Sequence, residues 1–92
     1  MQRLILDGEK CTTKETTHHI LKEGLGLPDY YGANLDALWD VLTSDFSERM
    51  IVIRHPESIL KNLGGYGVSL LRLFEESKQE NSHIHIVYSY HF

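Results

Sequence analysis

Asp36 and Asp40 place two carboxylates one helical turn apart, with Trp39 between them in the chain and Tyr30 and Tyr31 shortly before. They lie in the stretch Pro28-Asp29-Tyr30-Tyr31-Gly32-Ala33-Asn34-Leu35-Asp36-Ala37-Leu38-Trp39-Asp40-Val41-Leu42-Thr43. This reads as an aromatic loop feeding a short helix, because Asn34 can cap the free amides of a first turn and the residues after it favour helix. At about 100° per residue, Leu35, Leu38, Trp39 and Leu42 fall in one arc while Asp36, Asp40 and Thr43 fall in another. One side packs and the other is acidic.

Asp36 has a local explanation, since a carboxylate in the first turn complements the positive end of the helix dipole. Asp40 lies a turn deeper, where that benefit has faded, and it repels Asp36 by roughly 0.2–0.5 kcal/mol. Aspartate is also an indifferent helix former in a helix interior, so local stability gives no reason for Asp40. Two carboxylates held one turn apart beside aromatic rings are suited to meeting arginine or lysine side chains of a partner. Spacing alone is equally compatible with a solvated acidic face. Catalysis is disfavoured: paired acids that cleave glycosides flank a cleft and differ in environment, whereas neighbours on one exposed helix face flank nothing. The chain is therefore read as a binding protein, not an enzyme.

Other residues with chemical potential have plainer readings. His83 and His85 share one side of a strand and His18-His19 lie on the first helix, but nothing unites the six histidines with further ligands at metal-binding spacing. No metal or cofactor is expected. Gly64-Gly65-Tyr66-Gly67 lacks the Lys-Ser/Thr of a phosphate loop and reads as a turn between helices. Cys11 reads as a bystander, Leu70, Leu71 and Phe74 as core, and Glu76 as a helix-surface acid.

Ninety-two residues suit one domain, 1–92, with a single modest core. The apolar (41%) and charged (24%) fractions are those of a folded chain rather than a disordered one. A formal net charge of −4 argues against nucleic acid as the ligand, because such binders cluster Lys and Arg to neutralise phosphates. A basic protein partner suits it better. The single cysteine permits no internal disulfide, which fits a reducing compartment. No long apolar run opens the chain or reaches membrane-spanning length, so a cytoplasmic protein without a membrane partner is expected.

These residues must be positioned by a small set of elements. Arg3–Leu6 is a short strand closed by the turn signal Asp7-Gly8. Thr12 to Glu15 has capping-box spacing, so a helix begins near Thr13 and runs through Ile20 and Leu21 to a stop at Gly24. After the acidic helix, Met50–Ile53 is a continuous apolar run, the pattern of a strand covered on both faces. Pro56 suits a first helical position, placing a short helix within His55–Leu63. A stronger helix carries Val68, Leu70, Leu71, Leu73 and Phe74 to about Gln79, and Ile84, Ile86 and Tyr88 alternate in a last strand. The order β, α, α, β, α, α, β implies an α/β fold: a small three-stranded parallel sheet with about four helices packed against it.

The Pro28–Thr43 stretch closely resembles the barstar family of ribonuclease inhibitors, whose motif P-x-Y-Y-G-x-N-L-D-A-L-W-D-x-L-T it satisfies at nearly every position. The likeness extends along the chain, including Phe74-Glu75-Glu76-Ser77-Lys78 before the last strand. It implies an intracellular inhibitor, or immunity protein, of a secreted guanyl-preferring, basic ribonuclease, bound in a 1:1 complex. By motif position, Asp40 is the mimic of an RNA phosphate, Asp36 and Glu76 flank it, Tyr30 stacks on the catalytic histidine, and Trp39, Asn34 and Thr43 frame the contact. The chain departs from a well-studied member at Ser44 and Asp45, where glycine and tryptophan stand, at Val41 and Ser82, where cysteines stand, and at Thr17, an apolar position. The other reading is a protein-interaction or regulatory domain on the same scaffold with a partner that is not a ribonuclease.

Overall fold

Short apolar strands separated by helical stretches can pair in parallel only if each connection crosses back over the sheet. A computed structural model shows this arrangement and describes residues 1–89; the last three positions of the expected 1–92 domain lie outside them. β1 (Gln2–Asp7) leads into a single 3₁₀ turn (Gly8–Lys10), then α1 (Lys14–Leu25), α2 (Leu35–Ser44), β2 (Arg49–Arg54), α3 (Pro56–Leu63), α4 (Gly65–Glu80) and β3 (Ile84–Ser89). The strands form one parallel sheet in the order β1-β2-β3, in register Leu4, Ile51, Ile86. The expected α/β class, with three strands and four helices, is the fold observed.

Two right-handed crossovers that step the same way across a sheet put all their helices on one face. Burial follows that rule. Leu4, Leu6, Ile51, Ile53 and Ile84 point into the core with Leu21, Leu38, Leu42, Leu70 and Phe74, while Ile5 and Val87 on the opposite face are exposed. β2 accordingly alternates between buried and half-buried residues, which corrects the reading of Met50–Ile53 as covered on both faces. Its continuous apolar run reflects a central strand whose open face is shielded only by neighbouring side chains. Among the described residues, no helix is long and apolar enough to cross a membrane.

Two helix ends differ from the sequence expectation, each at a glycine. α1 is capped by Thr13, whose hydroxyl accepts from the Thr16 amide at 3.0 Å, and it passes through Gly24 to end at Gly26. Gly26 has φ 63°, the left-handed conformation in which glycine carries no Cβ penalty. Thr17 is fully buried, and its hydroxyl is satisfied by the Thr13 carbonyl at 2.7 Å, which reconciles a polar residue with a core position. α4 starts at Gly65 rather than Val68, so the glycines after Gly64 belong to a helix and not to a turn.

Gly67 is required there by close approach: a Cβ at this position would sit 2.6 Å from the Ile59 carbonyl oxygen of α3. At Gly65 a Cβ would meet nothing within 4 Å. Alanine is favoured over glycine in a helix by about 1 kcal/mol, while overpacking against backbone costs about 1–3 kcal/mol. Urea unfolding should therefore show Gly65→Ala with a raised midpoint and Gly67→Ala with a lowered one. Two raised midpoints would mean α3 and α4 do not cross at Gly67.

Candidate partner-binding face

The acidic helix is built from its cap outward. Asn34 accepts the Ala37 amide at 2.8 Å through Oδ1 and donates from Nδ2 to the Gly32 carbonyl at 3.3 Å. Ala33 just before it has φ 53°, a left-handed conformation that costs an alanine of order 1 kcal/mol. Within α2, Leu38 and Leu42 are fully buried and Trp39 is half-buried, whereas Asp36 and Asp40 are exposed. The helix packs on α4, and buried Asn81 at the end of α4 donates to the carbonyls of Leu42 at 2.9 Å and Asp45 at 2.8 Å. Both helices are thus tied together at one end by a single amide.

The seven residues singled out from the sequence divide into three groups. Tyr30, 89% exposed, and Asp40 together line two shallow hollows, one with Pro28 and Val41, the other with Asp45 and Arg49. Asp36, Trp39 and Glu76 line a groove between α2 and α4. Asn34 and Thr43 are committed to the helix itself, Asn34 by its cap and Thr43 by donating its hydroxyl to the Trp39 carbonyl at 2.7 Å. Neither the Asp36 nor the Asp40 carboxylate makes a hydrogen bond or ion pair with any described residue, although the Asp40 backbone carbonyl accepts from the Ser44 hydroxyl. Glu75 differs from its neighbour Glu76: it accepts from the Tyr88 hydroxyl at 2.6 Å and pairs with Lys78 at 2.9 Å, contacts that hold its carboxyl below the usual range.

Asp45 adds less negative charge to this face than its sequence position suggests. It accepts the Ser47 amide at 2.9 Å and pairs with Arg49 at 2.9 Å, so its carboxyl is held below the usual range, first by the Ser47 hydrogen bonds. Arg49 is 5% exposed and also donates from Nε to Gln2 at 3.1 Å. Asp45 is thus the counter-ion of a buried guanidinium, a role that exposes it only partly to a partner.

Sequence reasoning missed the group that holds the aromatic loop. His18 of α1 is 2% exposed and lies between two tyrosines, its Nδ1 2.7 Å from the Tyr31 hydroxyl and its Nε2 2.6 Å from the Tyr66 hydroxyl. A neutral imidazole can donate to one phenol and accept from the other, so all three polar groups are satisfied. Burial lowers the His18 pKa and pushes that of Tyr31 up to about 12. Glu15 beside His18 acts weakly in the opposite sense, and Lys14 lies 4.6 Å from the Tyr66 ring centroid. The available signal was the pairing of Tyr31 with Tyr66 around a histidine on the inward side of α1, and only the fold brings those three together.

His55, His83, His85 and the thiol have structural partners. His83 and His85 both reach the Glu48 carboxylate, at 2.9 and 2.7 Å, and hold its pKa low. Asp7, Glu9 and His55 bring potential ligand atoms within 4.8 Å of one another, but Asp7 caps the Glu9 amide and His55 lies 3.6 Å from Glu9 and 3.3 Å from Glu57. Cys11 is fully buried, with its thiol directed at the Asp7 carbonyl, and burial raises its pKa, leaving it protonated and unreactive.

A family model described as Barstar (barnase inhibitor) matches residues 1–90. The chain belongs to the barstar family. It is also 38% identical over 81 residues to a Bacillus subtilis (strain 168) protein provisionally named ribonuclease inhibitor YrdF, an alignment spanning 87% of this chain and 89% of that protein. The barstar family is one of inhibitors, not of enzymes.

In this barstar-family chain the buried imidazole makes stability depend on pH. Because the folded state lowers the His18 pKa below its ordinary 6.5, it holds that proton less tightly than the unfolded chain does. Its contribution is complete above about pH 6.5 and is lost as pH falls below that value toward the lowered folded pKa. The unfolding free energy of the wild type should decline between about pH 7 and pH 5, and His18→Gln, which has no titrating group there, should decline less. Parallel profiles for the two proteins would rule out His18 as the source.

Proposed function

We propose that this chain inhibits a secreted, basic, guanyl-preferring ribonuclease by covering its active site in a 1:1 complex, with Asp40 standing where a phosphate of the RNA would sit. The observation that carries this reading is an exposed Asp40 whose carboxylate has no partner among the described residues, beside the exposed ring of Tyr30 and opposite the buried leucines of its own helix. Family membership and the name of the Bacillus subtilis relative support it. The protein acts in the cytoplasm as one domain over residues 1–92, holding the nuclease inactive before export.

A ribonuclease gathers arginine, lysine and histidine to hold a phosphodiester, and a carboxylate reproduces the charge and acceptor geometry of phosphate oxygens. Asp40 takes the central position and Tyr30 stacks on the enzyme's imidazole. Asp36 and Glu76, sharing the groove between α2 and α4, meet a further cation, with Trp39 as the apolar floor. Asn34 and Thr43 contribute by fixing the helix rather than by offering free polar groups. No bond is made or broken; inhibition is exclusion of substrate.

Removing one member of a desolvated charge pair strands the other, at about 3–5 kcal/mol. Titration against purified guanyl-specific ribonucleases, read as residual RNA cleavage, should show Asp40→Ala weakening inhibition more than any other single change on this face. Wild-type inhibition by Asp40→Ala would remove the phosphate-mimic mechanism. Raising ionic strength should slow association, because attraction between an acidic inhibitor and a basic enzyme is screened within about 8–10 Å at 0.10–0.15 M salt. Stopped-flow association rates that do not change with salt would exclude the acidic helix as the leading face.

A further inference from the structure

We infer that Arg72 is a specificity-determining residue of the partner-binding face, selecting ribonucleases that bring a carboxylate, set among their cations, into the groove between α2 and α4. This rests on the inhibitor reading. The groove is open and about 260 Å³, lined by Asp36 and Trp39 from α2 and by Ser69, Arg72 and Glu76 from α4. That is room for a side chain rather than a small-molecule ligand. Arg72 is exposed and its guanidinium makes no hydrogen bond or ion pair with any described residue. Yet Asp36 and Glu76 line the same groove, and Glu76 follows Arg72 at the i+4 spacing where opposite charges on a helix usually bridge. Other cations close to the face are taken: Lys78 pairs with Glu75 at 2.9 Å and Arg49 with Asp45 at 2.9 Å.

The groove therefore presents two negative charges and one positive. A partner surface carrying only arginine and lysine would answer Asp36 and Glu76 but meet a like charge at Arg72, and such contacts suppress wrong partners. A surface with two cations around one acid satisfies all three. The planar guanidinium can give that acid two parallel hydrogen bonds, a geometry that lysine could not reproduce.

The test titrates Arg72→Gln and Arg72→Glu against a panel of purified guanyl-specific ribonucleases that includes barnase, with urea midpoints confirming that these surface changes leave the fold intact. For the nuclease bound most tightly by the wild type, Arg72→Gln should weaken binding about 10-fold and Arg72→Glu more, chiefly through faster dissociation. Long-range attraction alone predicts the opposite sign, since Arg72→Glu makes the inhibitor more acidic and a basic nuclease would be drawn to it faster. Equal or tighter inhibition by Arg72→Glu overturns the assignment. Asp40→Ala in the same panel separates the two readings. If it too inhibits like the wild type, the phosphate-mimic reading has failed; if it loses inhibition while Arg72→Glu does not, only the specificity assignment falls.

Discussion

The acidic face depends on the rotation of α2 about its own axis, and that rotation is set by burying Leu38 and Leu42. With about 100° per residue, the mean direction of positions 38 and 42 lies roughly opposite that of positions 36 and 40. Burying a leucine side chain contributes about 1.5–3 kcal/mol, whereas the repulsion between two carboxylates one turn apart is only a few tenths. Packing wins by a wide margin. The fold can therefore hold two like charges side by side in solvent without partners, an arrangement that local electrostatics would not choose.

Rigidity of that display comes from buried polar groups that join separate elements. The Asn81 amide ties the end of α4 to the end of α2. The Arg49 guanidinium joins β2 to Asp45 and to Gln2 of β1. The His18 imidazole joins α1 to the aromatic loop through Tyr31 and to the first turn of α4 through Tyr66. Each is a group that would be costly to bury unpaired, so each holds its partners in one arrangement. Acids carried on a helix fixed in this way would lose little backbone conformational entropy on meeting a partner, which lowers the cost of association. The same economy links the loop to pH, because the imidazole that anchors it must remain neutral.

The sheet shows the complementary constraint. Two crossovers stepping in one direction leave one face of the sheet without helices, so Ile5 and Val87 remain exposed while their neighbours in sequence are buried. All four helices then share one side, and α2 reaches α4 there. The groove that groups Asp36, Trp39 and Glu76 is a consequence of this topology.

Much of this protein was legible in its residues. The element order, the parallel α/β class, the capping role of Asn34, the apolar and acidic arcs of α2 and the motif from Pro28 to Thr43 all depend on neighbours within a turn or two, which is the range over which propensity and periodicity act. Helix ends were misplaced where a glycine served close packing instead of a turn, as Gly67 does against Ile59, since nothing in a local window distinguishes the two uses. The covering of β2 on both faces was misjudged because a central strand and a doubly covered one share the same apolar run. The tyrosine partners of His18 and the Gln2 partner of Arg49 come from positions distant in the chain, and Arg72 shares a groove with Asp36 only because two helices pack side by side. Which charges are neutralised and which are left for a partner is a three-dimensional property, because it depends on distances of a few ångströms between elements whose separation in sequence carries no such information.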